Sequence, residues 1–295
     1  MTGTLLRDDF SAGLSDRWNR SSPAGGSLTV TGQTVRLVNR DTTPRRYSNA
    51  QIDDYVTLPR NRFPWSPPLT LIVRARFSHP SPERESNSDC DFQYLPDPDG
   101  GPILSGTAGF GFWNEPMSLP VRQNQPMFAR PRAIWFFYAS PPSNMKLDMD
   151  APGCGWKAAA IDASRWPFLA LAPSMPISIP LMNLPGAYRR LWPIGQRAIR
   201  VSEAVVPVKM TDWHTYVIHW NEQVARFLVD DQVIMDCNRA PRGPLGLVIW
   251  LDNRFMIITP QGRLRWGLLE QPGCQWLELD YLTIKSGSQA RAHHS

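Results

Sequence analysis

Cysteine is scarce and scattered. The four residues, Cys90, Cys154, Cys237 and Cys274, form no C-x-x-C pair, so the paired-cysteine signatures of zinc and redox sites are missing. The opening MTGTLLRDDF has no basic segment followed by an apolar run. No secretory leader is read there, and a cytoplasmic location with free, buried thiols is expected. No window holds the ~20 uninterrupted apolar residues of a membrane-crossing helix. A dominant charge is absent too: 31 basic and 26 acidic residues leave a net +5 with no basic stripe, which argues against a nucleic-acid partner. There is no Ser/His/Asp spacing and no dinucleotide fingerprint. The glycines from Gly106 to Gly111 lack the lysine and following helix of a phosphate loop. His214 and His219 fall on opposite faces of one segment and read as structural. No metal and no cofactor is expected.

What the chain does have is proline and tryptophan, 29 and 12 residues respectively. Proline at that density favours loops around a sheet, and tryptophan fills cores or lines grooves. The strand signals are strong. Leu69 to Phe77 alternates with Leu69, Leu71, Val73 and Ala75 on one face. Ser27 to Asn39 reads as a hairpin turning at Gly32-Gln33. Trp213 to Asp236 reads as a meander of three short strands broken at Asn221-Glu222-Gln223 and Asp230-Asp231. In Pro244 to Phe255 the alternation sets Val248, Trp250 and Asp252 opposite Leu247, Ile249 and Leu251. Gly109 and Gly111 leave one face of GTAGFGFW bare, open to close approach by another group. Ala133 to Ala139 is wholly apolar, consistent with burial on both faces.

Three regions depart from this pattern. Residues 78–105 are rich in Pro, Ser and Asp and read as an exposed loop. Residues 162–206 form an apolar, proline-punctuated insertion in which a regular strand or a long helix is not expected, although short helical turns fit after Pro185. Two readings of it stand: a plug over one end of the β core, or a lid or surface that meets lipid or a protein partner. Residues 287–295 read as a polar tail.

Trp213-His214-Thr215-Tyr216, Trp220 and Phe227-Leu228-Val229-Asp230 match a W-H-T-Y-x-x-x-W strand followed by an x-F-x-V-D hairpin. With the opening Leu5–Trp18 and the closing Trp276–Ile284, this wording resembles the concanavalin A-like jelly rolls, in particular family 16 glycoside hydrolases. The resemblance implies an all-β, two-sheet antiparallel jelly roll from residue 5 to 286, with Phe10 and Trp18 in its core. It also implies an E-x-D-x-x-E strand between GTAGFGFW and Trp213. The matching strand, Ala133 to Ala139, contains no carboxylate. Glu278-Leu279-Asp280 on the closing strand lacks the second glutamate. Family 16 hydrolysis by its usual residues is therefore not expected.

What remains is a candidate ligand face of Trp113, Asn114, Glu115, Trp135, Tyr138, Trp250, Asp252 and Asn253. Aromatic faces beside carboxylates and amides are how curved sheets hold sugar rings. The same tryptophans also suit a core, and Asn114-Glu115-Pro116 and Asp252-Asn253 also suit turns. The expected function is carbohydrate binding. The alternative is a binder or enzyme for a hydrophobic small molecule under the 162–206 insertion, with poorly solvated Glu115 and Asp252 as acid–base groups.

Overall fold

Alternation decides the architecture, because each strand has one face it must bury. In Leu69–Phe77 every second residue is fully enclosed, and the same holds for Tyr216, Ile218 and Trp220 in His214–Trp220. The computed structural model describes residues 3–82, 101–117 and 126–287. Among these, two large antiparallel sheets pack face to face as a jelly roll, with a small separate hairpin, Arg254–Ile258 and Leu264–Leu268. Residues 83–100, within the expected exposed loop, and 288–295, within the expected tail, lie outside the described residues.

The first sheet centres on Leu69–Phe77, which lies between His214–Trp220 and the closing strand Gln271–Ser286. The meander expected over Trp213–Asp236 forms there as His214–Trp220, Ala225–Val229 and Gln232–Cys237. The hairpin Gly26–Thr31 and Thr34–Thr42 pairs through its second strand with the closing strand. The second sheet runs in the order Ser202–Val205, Gly155–Asp162, Arg132–Ala139, Thr107–Trp113, Gly246–Asp252, Asn49–Asp53, Asn19–Ser21. Between the sheets lie Phe110, Phe112, Phe136 and Trp156 of the second and Tyr216, Trp220, Phe227 and Phe77 of the first. Phe10 and Trp18 join this core as expected.

The insertion differs from the sequence expectation. Residues Trp166–Leu171, Met175–Leu181 and Pro185–Ile199 are α-helices, the last fifteen residues long despite Pro193 inside it. Most of the prolines fall in first turns, where a missing N–H leaves nothing unsatisfied; Pro167, Pro176 and Pro185 take such positions. The insertion contributes no residue between Ala163 and Val201 to the main hydrophobic cluster. It packs instead on the segment 141–154: Trp192 Nε1 donates to the Leu147 carbonyl at 2.9 Å, and the Gln196 side chain accepts from the Met149 amide. Cysteine also departs from expectation. Cys237 and Cys274 are free, but Cys154 is disulfide-bonded.

Candidate functional site

The outward face of the second sheet carries the site. Cross-strand register places Phe137, Gly109, Trp250 and Gln51 in one row, and Trp135, Gly111, Val248 and Asp53 in the next. Neither glycine has a side chain to contribute, so the large residues on either side lean over the gap. A Cβ on Gly109 would come within 2.9 Å of the Trp250 ring, and one on Gly111 within 2.5 Å of the Trp135 Cβ. The group that approaches the bare glycine face is thus the protein's own indoles.

The result is a continuous aromatic platform. Trp135 meets Trp113, Phe137 and Trp250 at ring separations of 5.7, 5.5 and 5.3 Å. Trp135 and Phe137 are stacked within 21° of parallel. Trp113, Trp135 and Phe137 are half-buried, whereas Trp250 is only 8 % exposed and forms the floor. The floor is fixed from below. Trp250 Nε1 donates to Thr107 Oγ1 at 3.0 Å, and that hydroxyl donates to Asp252 Oδ1 at 2.8 Å. Trp113 Nε1 likewise donates to the Tyr55 hydroxyl at 2.6 Å. Aromatic contacts of this kind stabilise beyond the area they bury, by about 0.5–1.5 kcal/mol each.

Along one flank runs a polar strip that sequence reading missed. Asn49 Nδ2 donates to Gln51 Oε1, Gln51 Nε2 to Asp53 Oδ2 at 2.8 Å, and Asn19 Nδ2 to Asp53 Oδ1. Gln51 sits opposite Trp250 in the ladder and is partly exposed. Buried Asn49 keeps an Oδ1 without a hydrogen-bond partner. The signal was the Asn-Ala-Gln-Ile-Asp alternation of residues 49–53, hidden because the flanking residues, Arg45 to Leu58, look irregular. The opposite flank holds a second unforeseen group. Lys157, fully enclosed, places Nζ 3.1 Å from Glu203 and 3.0 Å from the Pro152 carbonyl. Burial pushes the Glu203 carboxyl upward, while Lys157 pulls it back.

The expected site residues separate into four groups. Trp113, Trp135 and Trp250 come together. Tyr138 does not: it faces the inter-sheet core, with its hydroxyl donating to the Leu104 carbonyl. The strand holding it therefore has one core face, Ile134, Phe136 and Tyr138, and one platform face, rather than two buried faces. Asn114 and Asn253 are structural. Asn114 bridges the Arg130 carbonyl and the Arg132 amide, and Asn253 donates to the carbonyls of Thr43, Arg46 and Leu269.

Glu115 and Asp252 lie at opposite ends of the sheet. Thr107 pairs with Asp252 and Trp113 with Gly246, so six residues at ~3.3 Å each, about 20 Å, separate their ends of the ladder. Glu115 is two residues further still. Glycosidic carboxyl pairs stand ~5–10 Å apart, so these two cannot work as one. Asp252 is buried and accepts from Thr107, the Arg254 amide and the Tyr47 hydroxyl. Burial raises its proton affinity, with the nearby Arg254 opposing. Glu278 sits on the other sheet, bound by Arg36, Arg76 and Thr34. His214 bonds Asp230 and the Lys209 carbonyl, and His219 bonds Thr70. Among the described residues no cluster of ligating side chains could hold a metal.

No family model and no curated protein sequence matches the chain. Solved structures do resemble it. One is a protein of Z. galactanivorans, described in complex with laminaritriose and laminaritetraose, at 13 % identity and TM-score 0.48, covering 96 % of this chain and 99 % of that one. Another is a Mycobacterium tuberculosis antigen described as a pseudo beta-1,3-glucanase, at 10 % identity and TM-score 0.48, covering 97 % and 100 %. A third is the Bacillus licheniformis beta-glucanase, at 8 % identity and TM-score 0.46, covering 97 % and 99 %. At these identities and scores, no residue role passes from those proteins to this one.

Proposed function

We propose that the outward face of the second sheet binds a neutral carbohydrate and does not cleave it with a carboxylate pair. The observation that carries this reading is the half-buried, near-parallel pair Trp135–Phe137 above the indole of Trp250. Such a surface matches the apolar face of a pyranose ring, while the partly exposed Gln51 offers hydrogen bonds to its hydroxyls. The competing reading, a hydrophobic small molecule beneath the insertion, has less behind it. The insertion turns Trp166 and Ile177 outward, at 76 % and 71 % exposure. For location, the Cys154 disulfide favours an oxidising compartment over the cytoplasmic one expected from the sequence.

The test is a neutral-glycan array followed by calorimetry on the best ligand. Trp135→Ala and Phe137→Ala should each weaken binding by about 1–3 kcal/mol, with circular dichroism unchanged. An array without signal, or affinity indifferent to both substitutions, removes the reading.

A further inference from the structure

The insertion combines two features that are each unusual on a soluble surface. From Trp166 to Ala187 there is no ionisable residue, yet much of the segment faces solvent. Trp166, Ile177 and Leu184 are 76, 71 and 59 % exposed, and Leu169 is 48 % exposed. Soluble monomers rarely expose apolar surface in such continuity. Beside it lies a cleft of about 480 Å³ lined by Arg165, Arg197, Arg200, Arg239 and Arg242, with Trp166 in its wall.

Among the described residues, Arg165 is the one arginine of the cleft with an acidic partner, Asp162 at 2.7 Å. Arg200 ends the long helix in a left-handed conformation at φ 54°. Its Nε is enclosed without a hydrogen-bond partner, and burial, then Arg165, lowers its proton affinity, with Asp162 opposing. Asp162 is one carboxylate against five guanidinium groups, which repel unless a further anion stands among them, and their fork geometry suits phosphate oxygens. Residues 163–202 hold five arginines and no acid. Arg189, Arg190 and Arg197 lie on the exposed side of the long helix with Ile194. Exposed Trp, Ile and Leu beside arginine is the composition of segments that lie in a membrane interface. Each basic residue near an anionic surface strengthens attachment to it.

We propose that the insertion seats the protein on a bilayer containing anionic phospholipid, a headgroup phosphate entering the arginine cleft while Trp166 and Ile177 reach the acyl boundary. This stands independently of the carbohydrate reading.

The experiment is co-sedimentation of the whole protein with phosphatidylcholine vesicles, with and without phosphatidylglycerol. Binding is expected only with phosphatidylglycerol, and should fall as salt rises. Arg197→Glu combined with Arg239→Glu should weaken it by on the order of tenfold or more. Trp166→Ser with Ile177→Ser should weaken it similarly, with circular dichroism confirming the fold of each variant. Three outcomes overturn the proposal. One is no vesicle binding, including the case where calorimetry finds inorganic phosphate bound on its own. Another is vesicle binding that neither pair of substitutions changes. The third is self-association, abolished by Ile177→Ser, in a protein that ignores vesicles.

Discussion

Gly109 is the residue that lets Trp250 lie flat against the sheet: a Cβ there would come 2.9 Å from the end of the indole and clash with the Phe136 carbonyl. Gly109→Ala should therefore cost stability as well as binding, by about 2–4 kcal/mol. Thermal unfolding measures the first effect and glycan calorimetry the second. An alanine variant with unchanged melting would mean that the ladder shifts freely and that the platform does not depend on this glycine.

Lys157 and Glu203 form a buried pair, with 1 % and 8 % of their side chains exposed. Removing the cation alone, as Lys157→Met, leaves a buried carboxylate and should destabilise by roughly 3–5 kcal/mol. The loss should shrink on acidification, because the already raised Glu203 carboxyl then takes a proton. Adding Glu203→Leu should recover much of it. Denaturant titration of the two singles and the double closes the cycle.

Asp54 gives a pH signature. Burial lifts its carboxyl from 3.8 to about 6, against the lowering effect of hydrogen bonds from Trp65 and the Leu247 amide. A raised folded-state value means that its contribution is complete below about pH 4 and is lost as pH climbs through about 6. The melting temperature of the native protein should fall across that window relative to Asp54→Asn. Parallel curves would show that Asp54 ionises in place at no cost.

Much of this arrangement could be read from the residues, and the reasons it stopped short are physical. Leu69–Phe77 and Gly246–Asp252 announce themselves because period-two alternation fixes both strand and phase. Arg132–Ala139 does not: in an all-apolar run nothing distinguishes Tyr138, which points inward, from Phe137, which points outward. Pro185–Ile199 was hidden by Pro193, which weighs against a helix in isolation but is held here by the packing of Trp192 and Ala198. The separation of Glu115 from Asp252 is a matter of register. Two strands far apart in sequence set it, and neither carries it alone.

Cys154 supplies the remaining prediction. In a digest made without reductant, its peptide should appear only in cross-linked form, whereas Cys237 and Cys274 should alkylate once the chain is denatured. Reduction should lower stability by ~2–4 kcal/mol. Alkylation of Cys154 without reductant would exclude the bond.

Ser202–Val205 returns to pair directly with Gly155–Asp162, with Ser202 opposite Ala160. The three helices are thus the loop of an ordinary antiparallel hairpin at the sheet's edge, entered and left at nearly the same point. Closing a longer loop costs only ~0.6 kcal/mol per doubling of its length. A sheet with such a junction can gain, lose or exchange whatever is carried there across generations without renegotiating its own pairing. In the strand ladder, the aromatic face and the helical module thus meet only at this edge junction.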